Sequence, residues 1–330
     1  MGISIVAWKG ADLTIECLRS LAPQLSELER WHVYVVDNAS PDDSADRVEA
    51  AIAQNEWQPW VTFIRSPVNG GFAAGNNLAI RTMFAAAEPP DFVLLLNPDT
   101  VVRPGALRRL LDFMLDNPGV GIAGGRSEDA DTTPQCCCFR FPNILGEVSL
   151  YLQLGLFDRI LNRFVTRLGT PDEPLQVDWV SGAFMMVRRQ VIDDIGLMDE
   201  GYFLYYEETD YTLRARRAGW TCWHVPDSRV VHFVGQSSGV TVRNVRPARR
   251  PRYWFESRRR YFALNHGVWY AAVVDLLVLT VYPFARLRAF LQRRPSMDPP
   301  HLYGDLARYS ALVHGQRGLK PRQCELRSAP

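Results

Sequence analysis

No two cysteines in this chain are spaced as CxxC, and the six present (Cys17, Cys136, Cys137, Cys138, Cys222 and Cys324) follow no framework pattern. Three adjacent thiols do not wrap comfortably around one tetrahedral ion. A zinc knuckle and a disulfide-stapled module are therefore excluded, and reduced thiols in a cytoplasmic protein are the simplest account. Charge of one sign is equally scarce. The 37 Lys and Arg against 36 Asp and Glu leave a formal net charge of +1, so only the placement of charges can inform. No repeat period is visible, and no signal-peptide pattern precedes the strand-like run Ile3-Ser4-Ile5-Val6-Ala7-Trp8. What remains is a 330-residue chain, 47% hydrophobic and 22% charged, long enough for one large α/β domain or two ordinary ones.

The first two-fifths alternate apolar runs with amphipathic stretches, which predicts βαβ units and a mostly parallel, Rossmann-like sheet. Strands are expected at 3–8, 32–36, 61–65, 92–96 and 121–124, and helices at 12–21, 41–53, 76–87 and 104–117. After a looser region with helical segments around 147–168, a strand is expected at 179–187. A helix at 207–218, capped by Gly219, precedes a short strand at 229–231.

Ligands of open parallel sheets bind at the carboxyl ends of the strands, and three polar motifs fall there. The second strand ends in Asp37-Asn38-Ala39-Ser40, where a carboxylate can accept hydrogen bonds from a base or ribose. Asn69-Gly70-Gly71-Phe72 runs on to Gly75-Asn76-Asn77, a glycine-rich turn whose amides can approach a phosphate or ribose. A buried strand ends in Asn97-Pro98-Asp99, with a carboxamide and a carboxylate two residues apart and so aimed alike. Mg²⁺ or Mn²⁺ bridges phosphates with few protein oxygens, which suits one aspartate with a helper. Each motif also has a plain structural reading, as an N-cap cluster, a turn with a helix cap and an Asx turn respectively.

The order VVDNAS, NGGFAAGNN, LLLNPDT, WVSGAFMMVRR and YEETDYTLRARRAGW, spanning residues 3–235, resembles the family-2 glycosyltransferases of the GT-A fold, in particular their rhamnosyltransferase-like branch. The resemblance implies a nucleotide-diphospho-sugar transferase fold and an inverting transfer from a nucleotide sugar. It places Ala7, Trp8, Asp37, Asn69, Gly71, Phe72, Asn76, Asn97 and Asp99 around the donor, with Asp37 on the base and Asn97 and Asp99 at a Mn²⁺- or Mg²⁺-diphosphate. Gly182 falls near the donor or acceptor sugar, and His232 is implied as a second metal ligand beside Asp99. Glu208 takes the position of the base, with Glu207 as the rival. Asp210 either meets the acceptor or holds an arginine. Two departures stand out: Glu208 is one methylene longer than the family's aspartate, and Trp8-Lys9 replaces an aromatic followed by Asn. The implied donor is a dTDP- or UDP-sugar, dTDP-L-rhamnose foremost, and the implied acceptor a glycan, free or carried on a polyprenyl diphosphate.

Residues 241–330 are expected as a basic and apolar helical, membrane-proximal extension of a catalytic domain at 1–240. Eight arginines against one acid, Glu256, crowd 243–260, and the near-continuous apolar run 268–285 follows, interrupted by Asp275. This combination predicts attachment to an anionic membrane surface, peripheral on the inner face of the plasma membrane. Self-association stays open. A sugar-nucleotidyltransferase would want a glycine-rich basic loop where Trp8-Lys9-Gly10-Ala11-Asp12 stands. A nucleic-acid-binding protein would leave the carboxylates at the strand ends unexplained, so no nucleic-acid partner is expected. A catalytically inactive scaffold of the same fold is the third alternative, kept in view by Glu208.

Overall fold

A computed structural model describes residues 1–152, 164–233, 247–294 and 298–325. In chain order these form β1 (Gly2–Ala7), α1 (Ala11–Leu21), β2 (His32–Asp37), α2 (Ser44–Gln54), β3 (Val61–Arg65), α3 (Gly71–Phe84), β4 (Phe92–Leu96), β5 (Thr100–Val102), α4 (Ala106–Asp116), β6 (Val120–Glu128), β7 (Cys138–Phe139) and α5 (Ile144–Leu152). They continue as β8 (Leu175–Val177), β9 (Trp179–Val180), β10 (Phe184–Arg188), α6 (Arg189–Ile195), α7 (Glu207–Arg217), β11 (Thr221–His232), α8 (Arg252–His266), α9 (Val268–Leu291), α10 (Leu302–Arg308) and α11 (Ala311–His314).

Strands lie side by side in the order β3-β2-β1-β4-β10-β6-β11-β5, with β8 against β11. The half from β3 to β4 is parallel, as predicted, and so is the pair β6 and β11. β10 instead runs antiparallel between β4 and β6, and β5 and β8 run antiparallel to β11. The sheet is thus mixed. No helix stands between β9 and β10, so the chain re-enters the sheet directly and takes the antiparallel direction that needs no crossover. The strand expected over 179–187 is accordingly two short strands, broken at Ser181-Gly182-Ala183. The segment expected at 229–231 is the end of a twelve-residue strand that follows β6 through a register shift at Val225/Arg229.

Period-two alternation distributes the core. On β4, Phe92, Leu94 and Leu96 face α1, α2 and α4, while Val93 and Leu95 face α3, α6 and α7. β10 repeats this, with Phe184 and Met186 on the first side and Met185 and Val187 on the second. A third cluster joins Phe141, Tyr202 and Leu213 to Phe255, Tyr261 and Phe262 of α8 and Val274 and Val278 of α9. Among the described residues, the helices after residue 240 therefore share a core with the elements before it.

This packing overturns the expectation of an open basic face. Arg243 and Arg246 lie outside the described residues, but Arg258, Arg259 and Arg260 are buried. Arg258 sits between Glu147 of α5, at 2.8 Å, and Asp275 of α9, at 2.5 Å, and Asp275 also accepts from the Ala311 amide. Arg260 grips both oxygens of Asp199, and Arg249 grips both of Asp305. These acids come from distant segments, so the charge of Arg249, Arg258 and Arg260 is answered in the fold although not along the chain. Asp275, expected as an obstacle to membrane crossing, is one end of an internal ion pair.

Removing Arg258 leaves two carboxylates buried without their cation, which costs about 3–5 kcal/mol. Arg258→Ala should therefore lower the urea midpoint sharply. Arg252→Ala, which breaks only the exposed pair with Glu256, should change stability by less than about 1 kcal/mol.

Candidate active site

Parallel register sets Ala7 of β1 opposite Asp37 of β2, so two of the predicted donor residues meet at one sheet edge. The chain turns away from β1 through left-handed Lys9 (φ 62°) and Gly10 (φ 70°). The turn is tied down by the Lys9 amide donating to Ser40 Oγ at 2.7 Å and the Asn38 amide donating to the Ala7 carbonyl at 2.7 Å. One Asp37 carboxylate oxygen accepts from the Ser40 amide in a local turn, while the N-cap of α2 is Asp43 and makes no side-chain cap bond. Trp8, 40% exposed, stands at the mouth of this edge with Lys9 Nζ 4.7 Å from its ring centre.

The glycine-rich segment works differently from the expectation. Its amides serve the protein: Gly70 donates to Asn38 Oδ1, Gly71 to Asn69 Oδ1 and Phe72 to the Phe203 carbonyl. Gly71 has φ +83°, and a Cβ there would lie 1.9 Å from the Phe203 oxygen, so the close backbone approach is to the 196–206 loop. Asn76 is buried, accepting from Ser4 Oγ and donating to the Phe72 carbonyl. Its predicted donor contact is therefore replaced by a structural one. Asn38, which sequence reasoning passed over, clamps the whole turn through its bonds to Asn69 and Gly71.

Asp99 and His232, 133 residues apart, meet because β5 and β11 pair antiparallel with Thr100 opposite His232. The Asp99 carbonyl accepts from the Phe233 amide, and Asp99 Oδ1 stands 3.4 Å from His232 Nε2. Asn97 Nδ2 is also 3.4 Å from that nitrogen. Asp99 Oδ1 is buried with no hydrogen-bond donor among the described residues. A buried orphan carboxylate oxygen facing an imidazole nitrogen fits a divalent cation, Mn²⁺ more naturally than Mg²⁺ given the nitrogen ligand. No group of three or more His, Cys, Asp or Glu converges among the described residues.

The two glutamates open α7 after left-handed Tyr205 and Tyr206, with φ 70° and 68°. Glu207 is buried and Glu208 half-buried, and Oε2 of each lacks a partner among the described residues. Burial raises both carboxyls. Glu207 is pushed well above the usual range, further by the charge of Glu208, while Glu208 rises to about 7. A Cβ at Gly182 would come within 3.2 Å of the Phe72 ring and 3.9 Å of Glu208 Cβ, so the strand break brings Gly182, Phe72 and Glu208 together. The adjoining Ala183 carbonyl accepts from the Asn97 amide at 2.9 Å, which links this cluster to the Asp99–His232 pair. Asp210 is fully enclosed: it accepts from Arg214, Arg322, Asn265 and Tyr202, and so holds arginines.

The sheet resembles that of the mannosyltransferase PcManGT from Pyrobaculum calidifontis, solved in complex with GDP-Man and Mn²⁺, at TM-score 0.53 and 15% identity over 89% of this chain and 75% of that one. The N-acetylglucosaminyl-diphospho-decaprenol L-rhamnosyltransferase of Mycobacterium tuberculosis (strain H37Rv) is 29% identical over 276 residues, 80% of this chain and 84% of that protein. The dTDP-rhamnosyl transferase RfbF of Shigella flexneri is 28% identical over 260 residues, covering 76% and 77%. Residues 1–262 match the glycosyltransferase like family 2, and the chain, with its GT-A fold, belongs to that family.

Proposed function

We propose that this glycosyltransferase moves L-rhamnose from dTDP-rhamnose to a hydroxyl of a polyprenyl-diphosphate-linked glycan, by a single metal-dependent displacement with inversion. The names of the mycobacterial and Shigella relatives support the acceptor class and the donor. The observation that carries the mechanism is the short path from the Asp99–His232 pair through Asn97 and Ala183 to Gly182 and Glu208. Asp99 and His232 would hold the cation. When bound, Mn²⁺ or Mg²⁺ supplies Lewis-acid neutralisation of the charge that develops on the leaving nucleoside diphosphate.

Trp8 and Asp37 receive the nucleoside at the open end of β1 and β2. Gly182 leaves room for the sugar where any side chain would crowd Phe72. Glu208 takes the proton of the acceptor hydroxyl as the oxygen bonds to the anomeric carbon and the bond to the diphosphate breaks. Burial raises both carboxyls, and Glu207 is raised further by the charge of Glu208, which favours Glu208 as the member that accepts.

The acceptor's lipid places the enzyme at a membrane surface, and α9 is suited to it. This helix is long and apolar enough to cross a bilayer. One face is built into the protein through Ala271, Val274, Asp275 and Val278. The other exposes Trp269 (83%), Val273, Leu276, Phe284, Leu287, Phe290 (77%) and Leu291 at helical spacing, over about 36 Å of helix. Exposed Arg293 and Arg294 follow. A helix with this asymmetry lies in the interface with its apolar face in the lipid. The contact is apolar first and electrostatic second, which replaces the arginine-led attachment read from the sequence.

Asp99→Ala and EDTA should each reduce transfer by at least about a hundredfold, as several kcal/mol of charge stabilisation are lost, with Mn²⁺ restoring only the chelated wild type. Full activity in excess chelator would remove metal dependence from the mechanism. Glu208→Gln should lower kcat by about 10²- to 10⁴-fold with donor KM retained. A base with its pKa near 7 is protonated and idle at lower pH, so wild-type kcat should fall about tenfold per pH unit below 7 and level off above it. A profile flat down to pH 5 contradicts the assignment. In liposome flotation, replacing Trp269, Leu276, Phe284 and Phe290 together by Ser should abolish binding to neutral and anionic vesicles alike. Undiminished flotation of that variant would place the membrane contact elsewhere.

A further inference from the structure

The carboxyl-terminal segment beyond α11 runs back across the catalytic domain and joins the loop that precedes the base helix. The Leu197 amide donates to the Cys324 carbonyl at 2.8 Å, the Glu200 amide to the Gln323 carbonyl at 3.1 Å, and the Gln323 amide to Asp199 Oδ1 at 3.1 Å. Arg260, already bidentate on Asp199, also donates to the Lys320 and Pro321 carbonyls. Gly196, with φ +73°, admits the strap closely: a Cβ there would lie 2.4 Å from the Cys324 carbonyl oxygen. Farther along, Arg81 of α3 donates to the Glu325 carbonyl.

At the centre of this segment Arg322 reaches under α7. Its Nη2 donates to Asp210 Oδ1 at 2.9 Å and to Asn265 Oδ1 at 2.8 Å, while Asn265 Nδ2 donates to the same Asp210 oxygen at 2.7 Å. Asp210 lies in the first turn of the helix that starts with Glu207 and Glu208, and its other oxygen is taken by Arg214. A fully buried carboxylate must find cations, and here one comes from its own helix and one from the strap. Residues 320–325 also lie outside the 1–262 segment matched by the family.

We infer that residues 320–325 act as a positioning strap, with Arg322 its anchor, holding the 196–206 loop and the first turn of α7 so that Glu208 faces the Gly182 break. The inference rests on the reading of Glu208 as the base. Arg322 does not meet substrate. It acts through Asp210, fixing the rotation of the turn and keeping water from the two glutamates. A loosened first turn hydrates Glu208 and returns its carboxyl toward the ordinary range, because burial is what raises it.

The test compares the wild-type chain with Arg322→Ala, Arg322→Lys and Glu208→Gln, using dTDP-rhamnose with a synthetic polyprenyl-diphospho-N-acetylglucosamine, and follows amide exchange in 205–213. For Arg322→Ala we expect kcat at least tenfold lower, donor KM within twofold of wild type, the acid limb of the pH profile moved to lower pH, and faster exchange in 205–213. Arg322→Lys, which keeps the charge, should recover part of the rate and carries the comparison if the alanine variant does not fold. Wild-type kcat and acid limb in Arg322→Ala, with only a lower melting temperature, reduce the strap to packing and overturn the inference. If Glu208→Gln turns over like wild type, the base assignment fails separately. Amide exchange then decides the strap alone: unchanged exchange in Arg322→Ala overturns it, and faster exchange sustains it.

Discussion

A carboxylate taken out of water must be neutralised, paired or protonated, and that constraint organises this molecule. Asp199, Asp210, Glu147, Asp275 and Glu128 are all buried, and each is met by arginine: Arg260, Arg214 with Arg322, Arg258 for the next two, and Arg103 with Arg229. These pairs tie helices to the sheet and the carboxyl-terminal elements to the body. Asp99, Glu207 and Glu208 each bury an oxygen with no protein partner among the described residues. The first group is scaffold. The second leaves charge unsatisfied by the protein, as the proposed cation and acceptor proton would require.

The parallel half of the sheet was legible because its strands are apolar runs bounded by turn residues, and period-two burial on β4 follows directly from Phe92-Val93-Leu94-Leu95-Leu96. Strand direction was not legible: nothing local in Phe184–Arg188 says that it enters from the opposite edge. The motif order placed Ala7, Asp37, Asn97, Asp99, Gly182, Glu208 and His232 along one sheet edge and the loops above it, and their neighbourly contacts follow from pairings such as Thr100 with His232. Asn76 misled because an asparagine that bridges Ser4 to a backbone carbonyl has the same letter as one that meets a ribose. Asn38 and Arg322 escaped notice for the complementary reason, since a residue that positions others carries no chemistry of its own to recognise.

The arginine-rich segment teaches the same lesson at larger scale. Counting charge along 243–260 gives a strong excess, yet the acids that answer Arg249, Arg258 and Arg260 lie in α10, α5, α9 and the loop before α7. Linear charge density reports partners only when the fold adds none. The apolar run has a different outcome, because a helix that buries Val274 and Val278 while exposing Leu276 and Phe284 has two apolar faces. A soluble core satisfies only one of them.

The strap has a consequence in time. During synthesis the chain emerges from its amino end, and β1 to β4 can associate early. β4 and β6 then wait for β10 to fill the gap between them. Residues 320–325 are made after every element they hold, so the base helix gains its last cation at the end of the process. Any chain released before that point carries all the donor-side residues and all three hydrophobic clusters, yet lacks the contact that completes the first turn of α7. On the positioning role inferred for the strap, a product ending before residue 320 loses the Arg322–Asp210 contact and turns over slowly, as Arg322→Ala does, while its donor side stays complete.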